Sequence, residues 1–349
     1  MFALVRVSVP LVFLAATLQS AAAIDQVYRT DGTAAAGTLT EMGRDSVTVN
    51  AKVGGDQTVP TNEIDYIDFE GQPADLRLAR SALNSGNLEQ AIERLAASAK
   101  EETSNRDLEK EIAFLQAKAK AMQAQRDPQQ AAAAVQALKD FTASGGKHYR
   151  FYPALLLLAR TQVLAGDATG AKVSYQEAGQ SPYEDIKLAA TVGQADAAFL
   201  AGRMDEAGGL YDQVARKAGT NQLEKSQILA AKLGQAKVAA SKGQQDDAIT
   251  TLDDIIDSSG PEDTRVQAEA YLRQGDAYAA QGKAKNAALS YLHVDVVPAL
   301  AKESELHAEA LYRLNQLWPD LSQPARAAEA AARLQSLYPN SEWAGKLGG

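Results

Sequence analysis

Six times between Ala79 and Tyr291 the chain repeats one arrangement. A small residue is followed by a turn residue seven positions on, an alanine five further, and a large side chain four after that. The copies are Ala79/Gly86/Ala91/Leu95, Ala119/Arg126/Ala131/Val135, Ala159/Gly166/Ala171/Tyr175, Ala195/Gly202/Ala207/Tyr211, Ala236/Gly243/Ala248/Leu252 and Gly275/Gly282/Ala287/Tyr291. Small residues on facing sides of two antiparallel helices let their backbones approach, and the large residue closes that contact. Glycine at the turn supplies a backbone angle that other residues resist. The Arg126 copy departs from this, and Pro128 opens its second helix instead. The alanine columns lie roughly 36 to 41 residues apart, within the spacing of stacked repeat arrays. Each unit of such an array buries its apolar side only against its neighbours. Composition agrees, because 46% hydrophobic residues with only 6% aromatics suit closely packed helices.

The fullest copy reads Tyr271-x2-Gln274-Gly275-x2-Tyr278, then Ala287-x3-Tyr291, and closes at Pro298. It resembles the tetratricopeptide repeat family, with Gln274 in place of the family's leucine. The resemblance implies a mainly α protein, a solenoid of about seven helical hairpins over residues 72–345. The period exceeds the family's usual length of about 34 residues, so helices or connecting loops should be longer. The seventh unit is degenerate, with an expanded turn around Pro319 and Pro324 and Ala327 or Ala328 in the alanine column. Trp318 and Trp343 are expected to seal that end, and the tail from Ser341 to fray.

The same resemblance places partner peptides on the concave surface formed by the first helix of each unit. The position just after the first small residue holds Arg80, Lys120, Arg160, Asp196, Lys237 and Asp276. The first three form a basic row, and Leu83, Gln123, Val163 and Phe199 follow three residues behind this position. Cations interleaved with apolar side chains suit an extended acidic or C-terminal peptide held through carboxylate hydrogen bonds. The alternative is a solvated row that balances nearby acids.

Residues 24–71 differ in texture. Short runs of alternating polarity, such as Ser46-Val47-Thr48-Val49-Asn50, are separated by Asp31-Gly32, Met42-Gly43 and Gly54-Gly55. That is hairpin punctuation, and about five strands in so short a stretch resemble an SH3-like or Sm-like small barrel. Such a module either caps the helices behind it or binds a peptide or glycan, for which Tyr28, Tyr66 and Phe69 are the candidates. Residues 1–23 read as a signal peptide: Arg6, the apolar stretch Val7–Leu18, and Ala21-Ala22-Ala23 as a cleavage site. The apolar stretch is well short of the ~20 residues of a spanning helix. The expectation is an extracytoplasmic protein, periplasmic or secreted after cleavage near Ala23, with no integral membrane segment.

The chain has no cysteine, so disulfides and thiol chemistry are ruled out. Net charge is −9 with interleaved signs, which argues against nucleic acid as a partner because phosphate neutralisation needs a basic face. Only His148, His293 and His307 are present, none with ligand-spaced partners, and no nucleotide-binding or hydrolase motif occurs. Asp246, Asp247, Asp253, Asp254 and Asp257 lack the calcium-loop pattern and read as a solvated helix face. No catalytic residue, metal or cofactor is therefore expected. The favoured function is a non-enzymatic scaffold in the cell envelope that binds a protein or peptide along its groove. A wall- or glycan-binding protein acting through the β module is the alternative, and an enzyme with an unrecognised site is the weaker one.

Overall fold

The computed structural model describes residues 24–51, 54–339 and 341–348. The proposed signal peptide lies outside them. Five strands come first: β1 (Asp25–Arg29), β2 (Ala34–Met42), β3 (Ser46–Ala51), β4 (Gly55–Pro60) and β5 (Ile64–Asp68). They pair antiparallel in the order β4-β3-β2-β1-β5. β4 and β5 are the two edges, so this is an open sheet and not the closed small barrel expected from the strand spacing. Alternation sets its buried face, where Val27, Val47, Val49, Val59 and Ile67 are all fully buried.

Fourteen helices then form seven hairpins: α1 (Ala74–Asn84) with α2 (Leu88–Ser98), α3 (Arg106–Arg126) with α4 (Ala131–Ser144), and α5 (Phe151–Leu164) with α6 (Ala168–Ala178). Next come α7 (Glu184–Leu200) with α8 (Met204–Ala215), α9 (Gln222–Ser241) with α10 (Gln245–Ser258), α11 (Thr264–Ala280) with α12 (Ala284–Val296), and α13 (Ser304–Leu317) with α14 (Pro324–Leu337). The glycines of the repeat, Gly86, Gly166, Gly202, Gly243 and Gly282, have φ of 74°, 78°, 75°, 79° and 72°. This left-handed conformation is costly for other residues. At the exceptional turn, Asp127 adopts an extended conformation and its side chain caps the 3-10 turn opened by Pro128.

Each first helix touches the first helix of the next hairpin, in the series α1, α3, α5, α7, α9, α11 and α13. The second helices approach one another far less, so the array curves with its first helices inside. The extra length relative to a 34-residue unit lies largely in the first helices, of which α3 has 21 residues and α9 has 20. The tail does not fray. It forms α15 (Glu342–Gly345), whose Trp343 packs against Tyr312 at 5.3 Å and carries the Lys346 ammonium 3.8 Å over its ring. Among the described residues, no helix is long and apolar enough to cross a membrane.

Candidate binding site

The sheet and the array meet at the N-terminal end, and Arg80 is the centre of the junction. Its Nη1 donates to Asp68 on β5 at 2.8 Å, and its Nη2 donates to the Ile67 carbonyl at 2.7 Å. The guanidinium lies 5.3 Å from the Tyr66 ring centre, and Tyr66 stacks on Tyr28 at 4.5 Å. Arg80 also faces Glu111 on α3 at 3.7 Å. Glu111 is fully buried and takes bonds from Tyr149 and Arg150. Burial pushes its carboxyl up, but the charges and bonds of Arg150, with Arg80, outweigh that and hold it at about 2.

The sheet reaches further along the first helices. Tyr152 at the start of α5 donates to the Asp45 carboxylate at 3.1 Å, and Tyr183 donates to the Asp45 carbonyl. Asn62 donates to Asp185 in the first turn of α7 at 2.9 Å. Bonds from the sheet and its loops thus reach the first helices of the first, third and fourth hairpins, and α3 of the second shares the sheet's hydrophobic core.

Two clefts open beside this junction. The first, about 350 Å³, lies between β5, α1 and α3 and includes Tyr66, Arg77, Leu83, Phe114, Lys118 and Arg150 in its lining. Lys118 has no hydrogen bond or ion pair among the described residues. Burial, with the Arg150 charge added, pulls its ammonium below the usual lysine range, while Glu111 and Asp65 pull the other way. The second cleft, about 710 Å³, includes Gln26, Tyr28, Tyr66, Asp68, Glu70 and Arg77. Tyr66 and Arg77 line both.

The basic row is therefore not uniform. Arg80 is buried in the junction and committed to Asp68, Ile67 and Glu111, and Leu83 is buried beside it. Lys120 and Arg160 are exposed and carry no ion pair among the described residues, while Gln123, Val163 and Phe199 are half-buried. Further along, Asp196 accepts from Tyr211 at 2.5 Å, Asp276 from Tyr291 at 2.9 Å, and Lys237 pairs with Glu269 at 3.3 Å. The three aromatic candidates of the β module all line the second cleft, Tyr28 and Tyr66 half-exposed and Phe69 buried with the core.

Lys118 and Arg77 did not stand out in the sequence. Their repeat positions differ from the row, and only the folded sheet brings them together. The three histidines line neither cleft. His148 is buried in the core, His293 stacks on Tyr271 at 4.5 Å, and His307 bridges Asp295 and Tyr338, each at 2.8 Å.

No protein-family model matches the chain. No curated protein matches it. Among solved structures, it is similar to a tetratricopeptide repeat protein from Parabacteroides merdae ATCC 43184. The TM-score is 0.50 at 17% identity, over 78% of this chain and 95% of that one. RapI in its apo form aligns more loosely, with a TM-score of 0.46 at 12% identity over 78% of each chain. Pseudomonas aeruginosa pilF aligns with a TM-score of 0.39 at 15% identity, over 78% of this chain and 95% of its own. The helical hairpins of this chain have a tetratricopeptide-like fold.

Proposed function

We propose that the chain is a non-enzymatic, exported scaffold of the cell envelope that captures a protein or peptide partner on its first-helix face. The observation carrying this reading is the exposure of Lys120 and Arg160 on first helices, without ion pairs among the described residues, with half-buried Gln123, Val163 and Phe199 at neighbouring repeat positions. Cations of this kind can bond a partner's carboxylates while the apolar neighbours bury its side chains. The leading residues 1–23 have signal-peptide composition, which supports export to the periplasm or beyond. The N-terminal sheet, SH3-like in strand spacing, serves as the cap of the array's first face.

The test is crosslinking with mass spectrometry on the exported protein, followed by Lys120→Glu/Arg160→Glu. Crosslinks to one partner at α3, α5 and α7, lost in the double variant with the helical circular dichroism intact, support the proposal. Undiminished capture by that variant overturns it.

A further inference from the structure

We infer that the paired clefts between the sheet and the first hairpins form a carbohydrate site for an oligosaccharide that alternates neutral and carboxylated sugar rings. This goes beyond partner capture at Lys120 and Arg160 and does not depend on it.

The argument starts from the aromatic ladder. The Arg80 guanidinium lies 5.3 Å from the Tyr66 ring centre, and Tyr28 stacks on Tyr66 at 4.5 Å with 19° between the rings. Tyr28 ends this ladder half-exposed in the larger cleft. A flat ring fixed by stacking suits the apolar C–H face of a pyranose, and it is ordered before the ligand arrives. The Tyr28 hydroxyl is directed to Gln26 Oε1 at 2.5 Å, which leaves its oxygen as an acceptor.

The remaining polar groups offer both halves of a hydroxyl's requirement. Glu70 is exposed, and its carboxylate has no hydrogen-bond partner among the described residues, so it can accept from sugar hydroxyls. Arg77, with its side chain 73% exposed, uses Nη2 on Asp68 and retains other donors. Asp68 accepts from Gln72, Arg77 and Arg80, so it orients these donors. A peptide fits this wall less well. The β5 edge carbonyl of Ile67, where an added strand would bond, is already taken by Arg80.

The smaller cleft supplies the charge. Lys118 is its unpaired cation, next to Arg150, whose own charge is spent on Glu111. Glu111 and Asp65 act on this half-buried ammonium without bonding it, so it is open to a ligand carboxylate. Tyr66 and Arg77 belong to both clefts, so a ring on Tyr28 and a carboxylate at Lys118 can belong to one chain of sugars.

The test is calorimetric titration of the full chain with hyaluronan tetrasaccharide, which alternates glucuronic acid and N-acetylglucosamine, and with neutral chitotetraose. The expected result is that both bind, the acidic sugar about tenfold more tightly. Tyr28→Ala should weaken both by about tenfold, and Lys118→Gln should abolish only the preference for the acidic sugar. Should Tyr28→Ala fail to fold, Lys118→Gln decides alone, and an unchanged preference overturns the proposal. So does the absence of heat with either sugar, or tighter binding of tetraglutamate than of hyaluronan at Lys118. Because neither variant touches Lys120 or Arg160, failure here leaves the scaffold reading to its own test.

Discussion

Arg150 holds Glu111 at two points: Nε donates to Oε2 at 3.2 Å and Nη2 to Oε1 at 3.0 Å. Glu111 is completely buried, with Tyr149 as a third donor at 2.8 Å. The pair joins α3 to the start of α5 and, through Arg80, to the sheet. Removing one partner leaves the other's charge uncompensated. Glu111→Leu should therefore cost about 3–5 kcal/mol, read as a lower midpoint in urea. The double variant Glu111→Leu/Arg150→Met should recover most of that loss. If both variants unfold at the same midpoint, the penalty is not that of an orphaned charge.

Acid should weaken the junction in two stages. His148 is wedged between Phe141 and Tyr149, and its Nε2 has no partner among the described residues. Burial, with Arg150 adding to it, lowers its pKa from 6.5 to about 4. Between those values the unfolded chain binds the proton and the folded chain does not, so stability falls as pH drops from 6.5 towards 4. The loss is on the order of 3 kcal/mol by linkage. Glu111 acts lower. Its contribution is complete above 4.5 and disappears as pH falls to about 2. Urea midpoints across this range should show His148→Phe flattening only the upper stage, and a slope unchanged in that variant would refute the assignment.

Glycines separate packing from propensity. Gly193 on α7 lies against the ring of Tyr175, and Gly234 on α9 against that of Tyr211, where an added Cβ would enter the ring. Gly193→Ala and Gly234→Ala should each cost about 1–3 kcal/mol by overpacking. Gly209, inside α8, has nothing within 4 Å of an added Cβ. Gly209→Ala should instead stabilise by about 0.5–1 kcal/mol through helix propensity. Thermal unfolding of the three variants checks the sign of each effect.

The sheet's grip on four hairpins predicts long-range coupling. Deleting residues 24–71 removes the partners of Arg80, Tyr152, Tyr183 and Asp185. Hydrogen exchange should then rise in α1, in α3 and at the starts of α5 and α7, while α11 to α14 stay unchanged. A uniform rise along the array would mean that the sheet supports global folding and not this face alone.

What was legible in the sequence was whatever repeats locally. The seven-five-four spacing from Ala79 to Tyr291 placed the hairpins, because helix period and glycine's left-handed turn act over a few residues. The alternation around Val47 and Val49 placed the strands for the same reason. It did not show whether the sheet closes, since closure depends on a pairing between β4 and β5 that no local pattern encodes. Nor did it show that Trp343 would fold back onto Tyr312 and order the tail. The shared repeat position places the members of the basic row on one surface. Tertiary structure split it. Asp68 is twelve residues before Arg80 and Glu111 thirty-one after it, so only folding could bring both carboxylates to that guanidinium. It left Lys120 and Arg160 outside the junction and brought Lys118 and Arg77 to the clefts. Repeat position determined which face of a helix each residue occupies, and the sheet packed on that face decided which charges were neutralised and which stayed open.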